Sequence, residues 1–251
     1  MDGLEILAVV AAGMGAGFVN AVVGSGSLIT FPTLLAVGYA PVTANVSNNI
    51  GLVPGSITGA WGFRRELEGQ GTRVRSLAVG SASGALMGAY LLLRLPAAVF
   101  DKVVPILVLL AVALMIVQPR LARFVASRRK EGAREVGFVP VALVFLAGCY
   151  GGYFGAAQGI ILLAILGVFL PDDLTRSNAV KNVLAGLVNA VAAVFFVLFA
   201  DVAWEAVAAV AAGAVVGGWL GAKVGRRIPP IVLRVLVVVI GLFVAIRLLL
   251  R

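Results

Sequence analysis

The 251-residue chain carries its first half again, without a gap, 133 residues further on (Asn45 to Asn178). Gly15 recurs as Gly148, Gly26 as Gly159, and Asn49 as Asn182. The row Gly80, Gly84, Gly88 recurs as Gly213, Gly217, Gly221, and Arg94 and Pro96 recur as Arg227 and Pro229. Matches at Ala, Val or Leu mean little in so biased a composition. Matches at Asn, Arg and Pro, and a repeated glycine triplet, carry the duplication. A duplicated chain folds as two similar units that meet, and whatever lies at their junction is built from both.

Hydrophobic residues make up 61% of the chain, charged residues only 12%, and the mean hydropathy is +1.09. A soluble domain carries about 25% charge. A bilayer core about 30 Å thick needs a run of about 20 apolar residues. Several stretches reach that length, so the pattern predicts an all-α polytopic membrane protein. Helical segments are expected over 4–23, 27–39, 44–62, 76–95 and 97–117, then again over 137–157, 159–170, 176–199, 202–222 and 231–250. The segments at 27–39 and 159–170 are too short to span untilted. The organisation read from this is a first membrane repeat over 1–118, a basic cytoplasmic linker over 119–136 and a second repeat over 137–251, together one transmembrane domain. The opening "MDGLEILAVV" lacks a basic leader region and a small-residue cleavage site, and is read as the first helix.

The net charge of +9 does not point to nucleic acid, because the basic residues sit in short loops between apolar segments. The loops 63–76 and 120–134 and the group Lys223, Arg226, Arg227, Arg234 are basic and expected to be cytoplasmic. Asp2, Glu5, residues 94–102, Asp172, Asp173, Asp201 and Glu205 form the acidic or weakly charged set. Equivalent loops of the two halves carry opposite sign: 63–76 matches the Asp201/Glu205 corner, and 94–102 matches 227–234. The halves are therefore expected to be inverted repeats of about five segments each, an architecture of secondary transporters with the substrate site at the repeat interface. Both termini then face outward, and each half makes an odd net number of crossings: five spans, or three spans plus a re-entrant pair.

Polar residues inside the apolar segments are the candidates for function. In "AVVGSGSLITFP", Gly24, Ser25, Gly26 and Ser27 separate a long helix from a short one; Gln158 and Gly159 stand at the equivalent place in "AAQGIILLAILGVF". Glycines permit sharp turns and close backbone approach, and a helix N-terminus is a ready anion site. Two such half-helices with N-termini converging near the midplane would form a positive pocket. The alternative is a kink between two tilted spans. Asn45, Asn48 and Asn49 share one helical face, as do Asn178, Lys181 and Asn182. Amide N–H groups suit an oxyanion; the alternative is hydrogen-bonded packing between helices. Lys181, an ionisable residue within a membrane segment, is a functional candidate, with snorkelling to the nearby loop as the alternative. Its repeat partner is the neutral Asn48. Asp101 and Asp201 lie at segment ends, so no mid-span carboxylate relay is visible. Without histidine and with a single cysteine, Cys149, there is no internal disulfide, no Ser/His/Asp set and no metal-ligand cluster. Neither catalysis nor a cofactor or metal is expected. The glycine rows are small-residue packing motifs within a protomer or across a homodimer.

The stretches "GFVNAVVGSGSLITFPTLLAVGYAPVTANVSNNIGLVPGSITGAWGFRREL" and "GCYGGYFGAAQGIILLAILGVFLPDDLTRSNAVKNVLAGLVNAVAAVFFV" resemble the two duplicated motif regions of the TauE/SafE family of sulfite and organosulfonate exporters. The likeness rests on the Gly-rich turn, Pro32 at its end, the small-residue helix that follows and the basic corner after it. Here the turn reads "GSGS", where many relatives carry a longer glycine run. The resemblance implies export of small sulfur oxyanions such as sulfite or sulfoacetate from a bacterial cytoplasm, through the inner membrane. On this reading the partners are a small anion and the lipid bilayer. Potential-driven export fits the missing carboxylates, since an inside-negative potential favours outward anion movement by about 2.3 kcal/mol per charge per 100 mV; proton coupling through the substrate is the other option. Competing readings are an anion channel, a non-transporting membrane subunit, and a transporter of a carboxylate or, less compatible with amide side chains, a metal.

Overall fold

The structure, a computed structural model, describes residues 1–127, 137–170, 173–228 and 230–249. Its described elements are helices. The first half holds α1 (Gly3–Val22), α2 (Ser27–Ala36), α3 (Pro41–Gly62), α4 (Gly71–Arg94) and α5 (Ala97–Ser127). The second holds α6 (Phe138–Tyr153), α7 (Gln158–Phe169), α8 (Leu174–Phe199), α9 (Trp204–Val224) and α10 (Pro230–Leu249). Six of them, α1, α4, α5, α8, α9 and α10, are long and apolar enough to cross a bilayer. Their outward surfaces are Leu, Ile, Val and Phe, as a surface facing hydrocarbon requires.

Local chemistry sets the boundaries. Asp2 caps α1, its carboxylate accepting from the Glu5 N–H at 2.8 Å while the Glu5 carboxylate accepts from the Asp2 N–H at 2.8 Å. Asp173 caps α8 by accepting from the Arg176 N–H at 2.7 Å. The chain leaves α1 through Gly24 at φ +89° and leaves α6 through Gly155 at φ +82°, a backbone region that favours glycine.

Several expected bounds shift: α3 begins at Pro41 rather than 44, and α6 ends at Tyr153 rather than 157. Helix α4 begins at Gly71 rather than 76 and takes Arg73 and Arg75 into its first turns. Helix α5 runs on to Ser127 through Pro119, taking up the first part of the segment read as a linker; Leu121 still packs on the core there. Residues 128–136 of that linker, Asp172 and Pro229 lie outside the described residues.

The packing exchanges one half for the other. Helix α1 lies along α9, and α6 along α4; α3 packs on α9, and α8 on α4; α2 meets α10, and α7 meets α5. Helices α3 and α8 pack on each other, as do α5 and α10. Helix α8 runs antiparallel to α3, Asn189 meeting Asn49 near one end of the contact and Gly186 meeting Ser56 further along. The repeat equivalents Ser56 and Asn189 touch each other, the Asn189 amide donating to the Ser56 hydroxyl at 3.3 Å. The glycine rows account for the close pairs inside the chain: Gly80, Gly84 and Gly88 press on the α6 backbone, and Gly213, Gly217 and Gly221 on that of α1. Closely packed small residues give membrane helices their van der Waals contact where no hydrophobic drive exists.

The spacing between matching features of the two halves is not uniform. Through α1 and α6 the equivalent residues are 131 apart, Gly24 answering Gly155 in its positive φ and Ser27 answering Gln158 as the first residue of the short helix. From α3 and α8 onward they are 133 apart, Pro41 answering Leu174. The two-residue difference is taken up in α7, which has 12 residues where α2 has 10.

Candidate functional site

Between α1, α3 and α8 lies a cavity of ≈ 10 Å³, room for about one water. Gly24, Ser56, Lys181 and Asn182 line it, with Asn20 and Ala21 from the end of α1. The last carbonyls of a helix have no partner within it, and here the second half supplies them. The Lys181 ammonium donates to the Asn20 carbonyl at 2.9 Å. Asn178 and Asn182 both donate to the Ala21 carbonyl, each at 3.2 Å. A cation at a helix C-terminus is favoured by the helix dipole. Lys181 is 0% exposed, so it does not snorkel. Helices α3 and α8 hold no Asp or Glu, and α1 holds only Glu5, in its first turn.

Space for the lysine stem comes from Gly24. A Cβ there would lie 2.7 Å from the Gly159 Cα and 3.4 Å from the Lys181 Cδ. The two broken turns cross at this point, the Gly159 N–H donating to the Gly24 carbonyl at 3.1 Å. The N-terminus of α7 therefore meets a carbonyl, and the helix end at the cavity is the C-terminus of α1.

The remaining sequence candidates are buried around this centre. Gly26 donates its N–H to the Asn20 Oδ1 at 3.2 Å, which fixes the side chain beside the lysine partner. Asn49 donates to the Asn189 Oδ1 at 3.4 Å and so joins the row to Ser56. Gln158 packs on Gly151 with its Nε2 unpaired, and the Oδ1 atoms of Asn49 and Asn178 are also unpaired. Of the sequence candidates, Gly24, Lys181 and Asn182 line the cavity; Gly26, Asn49, Gln158, Gly159 and Asn178 lie around it, and the remaining four lie further off. Asn45 donates to the Tyr153 carbonyl at 2.9 Å, and Asn48 accepts from the Thr30 hydroxyl. Ser25 points at the Met115 sulfur, 4.0 Å away, and Ser27 is buried at the start of α2. Sequence reading passed over Asn20, Ser56 and Asn189. Asn189 continues the Asn178/Asn182 face one further heptad along α8, and Ser56 does the same after Asn49 on α3.

Sharing of the Ala21 carbonyl makes a prediction. Asn178→Ala and Asn182→Ala should each cost under about 1 kcal/mol, because the other amide remains, whereas the double variant orphans the carbonyl and should cost clearly more than the sum. Thermal unfolding of the three variants in detergent measures the coupling; strict additivity would refute the shared role.

Helices long enough to span a bilayer thus surround a broken-helix crossing with a buried lysine beside a small cavity, and the comparisons give the class of protein. The family model described as "Sulfite exporter TauE/SafE" matches residues 9–248, and the chain belongs to that family. It is 31% identical over 222 residues to "Probable membrane transporter protein YfcA" of Escherichia coli K12, covering 85% of this chain and 76% of that protein. It is 26% identical over 240 residues to a "Probable membrane transporter protein" of Haemophilus influenzae, covering 95% and 92%. A third relative, "Probable membrane transporter protein ORF9" of Sinorhizobium sp, is 26% identical over 236 residues, covering 93% and 88%. No solved structure matches the chain. The protein is a multi-pass membrane transporter and not an enzyme.

Proposed function

We propose that the protein exports small sulfur-containing oxyanions, sulfite or an organosulfonate, across the bacterial cytoplasmic membrane by alternating access between two inverted repeats. The observation that carries this is Lys181: a wholly buried cation with a neutral partner, set among asparagines where the halves meet. Gly24, Asn182 and the second Gly-rich turn frame the binding place; Gly159, Gln158 and Asn178 support it from α7 and α8. The antiparallel passage of α3 and α8 supports the inverted arrangement. So does the charge at the two ends: Arg64, Arg65, Arg73, Arg75 and Lys223 gather at the end where Gly62 meets Ala222, and Asp2, Glu5 and Glu205 at the other. The basic end is the cytoplasmic one, which leaves both termini outside.

The cavity is too small for an oxyanion as it stands. Binding requires the surrounding helices to part, which favours a carrier cycle over an open channel. Flux of sulfite from loaded proteoliposomes tests the reading. Saturable efflux that excess organosulfonate inhibits is expected. Efflux that stays linear in concentration would make the protein a channel, and no sulfite flux would assign it another cargo; either result overturns the proposal.

A further inference from the structure

We infer that the species carried is a monovalent oxyanion, so that sulfite crosses as hydrogensulfite. The inference rests on the transport reading above and concerns the charge the site accepts. It follows from a count of charge in the buried layer where the halves meet.

Lys181 is the buried basic side chain of that layer, and in its ammonium form it brings one positive charge. The elements packed against α8 bring none at that depth. On α8 itself the charged residues near Lys181 are Asp173 and Arg176 at the helix start, and Arg176 reaches away to the Glu68 carbonyl at 2.9 Å. Helix α3 has no charged residue, and the acids of α1 are at its opposite end. Helix α4 has Arg73 and Arg75 in its first turns and Arg94 at its last residue; the short turn over 64–67 carries Arg64, Arg65 and Glu66 at the exposed end. Helix α7 has no titratable group. Helix α6 offers only Cys149, Tyr150 and Tyr153, and the Tyr150 hydroxyl is spent on the Ala156 carbonyl at 2.6 Å.

The duplication could have supplied a second cation and did not. The equivalent of Lys181 is Asn48, neutral and held by the Thr30 hydroxyl. Around Asn48 the space is also filled: Leu52 stands where the Lys181 side has Ala185, Val188 where it has Gly55, and Ala192 where it has Gly59. Among the described residues, that layer therefore holds Lys181 as its basic side chain, with the cavity beside it.

A monovalent anion beside Lys181 leaves that layer neutral and keeps the ammonium charged. A divalent anion leaves one negative charge unpaired and shut away from water, which is the costly case for a buried ion. A protonated oxyanion also fits the unpaired acceptor nearby. Asn178 must present its amide N–H to the Ala21 carbonyl, so its free atom is the oxygen, which suits an O–H donor.

Calorimetric titration of the purified protein in detergent tests this with three probes: methanesulfonate, sulfate, and sulfite over a pH series spanning the ionisation of hydrogensulfite. Methanesulfonate stays monovalent throughout, so its own pH profile reports groups of the protein, and the ratio of sulfite to methanesulfonate affinity isolates the proton on the ligand. That ratio should fall about tenfold for each pH unit above the ionisation, as proton linkage demands. Sulfate should bind at least about tenfold more weakly than methanesulfonate, a margin of 1.4 kcal/mol. Sulfate binding as tightly as methanesulfonate, or a ratio that ignores pH, would overturn the inference while leaving the transporter intact. Binding of none of the three would overturn the anion site itself, and the inference with it.

Discussion

Lys181→Met should cut anion binding and transport about 10- to 100-fold while the protein folds as before. A hydrogen bond to a charged group contributes about 1.5–3 kcal/mol, and each 1.4 kcal/mol is a factor of ten. The stability side has the opposite tendency. Burial of a lone cation is expensive, and replacement of buried charge by an apolar side chain of similar volume is often neutral or stabilising. Methionine matches the reach of the lysine stem past Gly24, and the main loss to the fold is the hydrogen bond to the Asn20 carbonyl. Thermal unfolding in detergent and sulfite efflux from proteoliposomes read the two effects separately. A variant that transports at the wild-type rate would remove Lys181 from the site.

Gly24→Ala carries the largest expected cost to the fold. The new Cβ would stand 2.7 Å from the Gly159 Cα, closer than side chains approach backbone, and the residue would have to hold φ +89°. Left-handed backbone at a non-glycine residue costs about 1–3 kcal/mol, and forced displacement in a packed interior about as much again. Gly159→Ala separates the two terms, because it carries the clash without a positive φ. It should fall between wild type and Gly24→Ala in thermal stability. Gly59→Ala is the converse case: its Cβ would meet Ala21 at an ordinary 3.5 Å, so the fold should tolerate it while the cavity it lines contracts and transport falls. Wild-type stability in Gly24→Ala would mean that the turns do not cross as described.

Much of the helical framework was readable because glycine, proline and charge punctuate the apolar runs at their ends. The short helices after the Gly-rich turns, the polar rows of α3 and α8 and the buried lysine all stood out against a background of Val, Leu and Ala. The register of the first two helix pairs did not. Gly15 with Gly148 and Gly26 with Gly159 align at one offset; Gly17 with Gly148 and Gly24 with Gly155 align two residues away. In a chain with 31 glycines such matches occur at many offsets, and only backbone conformation decides among them. The role of the α1 C-terminus was hidden for a related reason. Its carbonyls belong to every residue alike, and nothing in the identities of Asn20 and Ala21 announces that three side chains from α8 converge on them. Asn20, Ser56 and Asn189 were each a single polar residue in an apolar helix, and each becomes informative only when its neighbours across the helix contact are known.

The carbonyls of Asn20 and Ala21 also bear on how the protein is made. They belong to α1, and the groups that bond them, Asn178, Lys181 and Asn182, follow 157 or 161 residues later in the chain. During that interval the end of α1 lies among lipid with backbone acceptors unanswered, a situation hydrocarbon tolerates only where water or protein intervenes. The newly inserted first half is thus an open structure waiting for its other half, and the cavity between α1, α3 and α8 cannot form until α8 has entered the membrane.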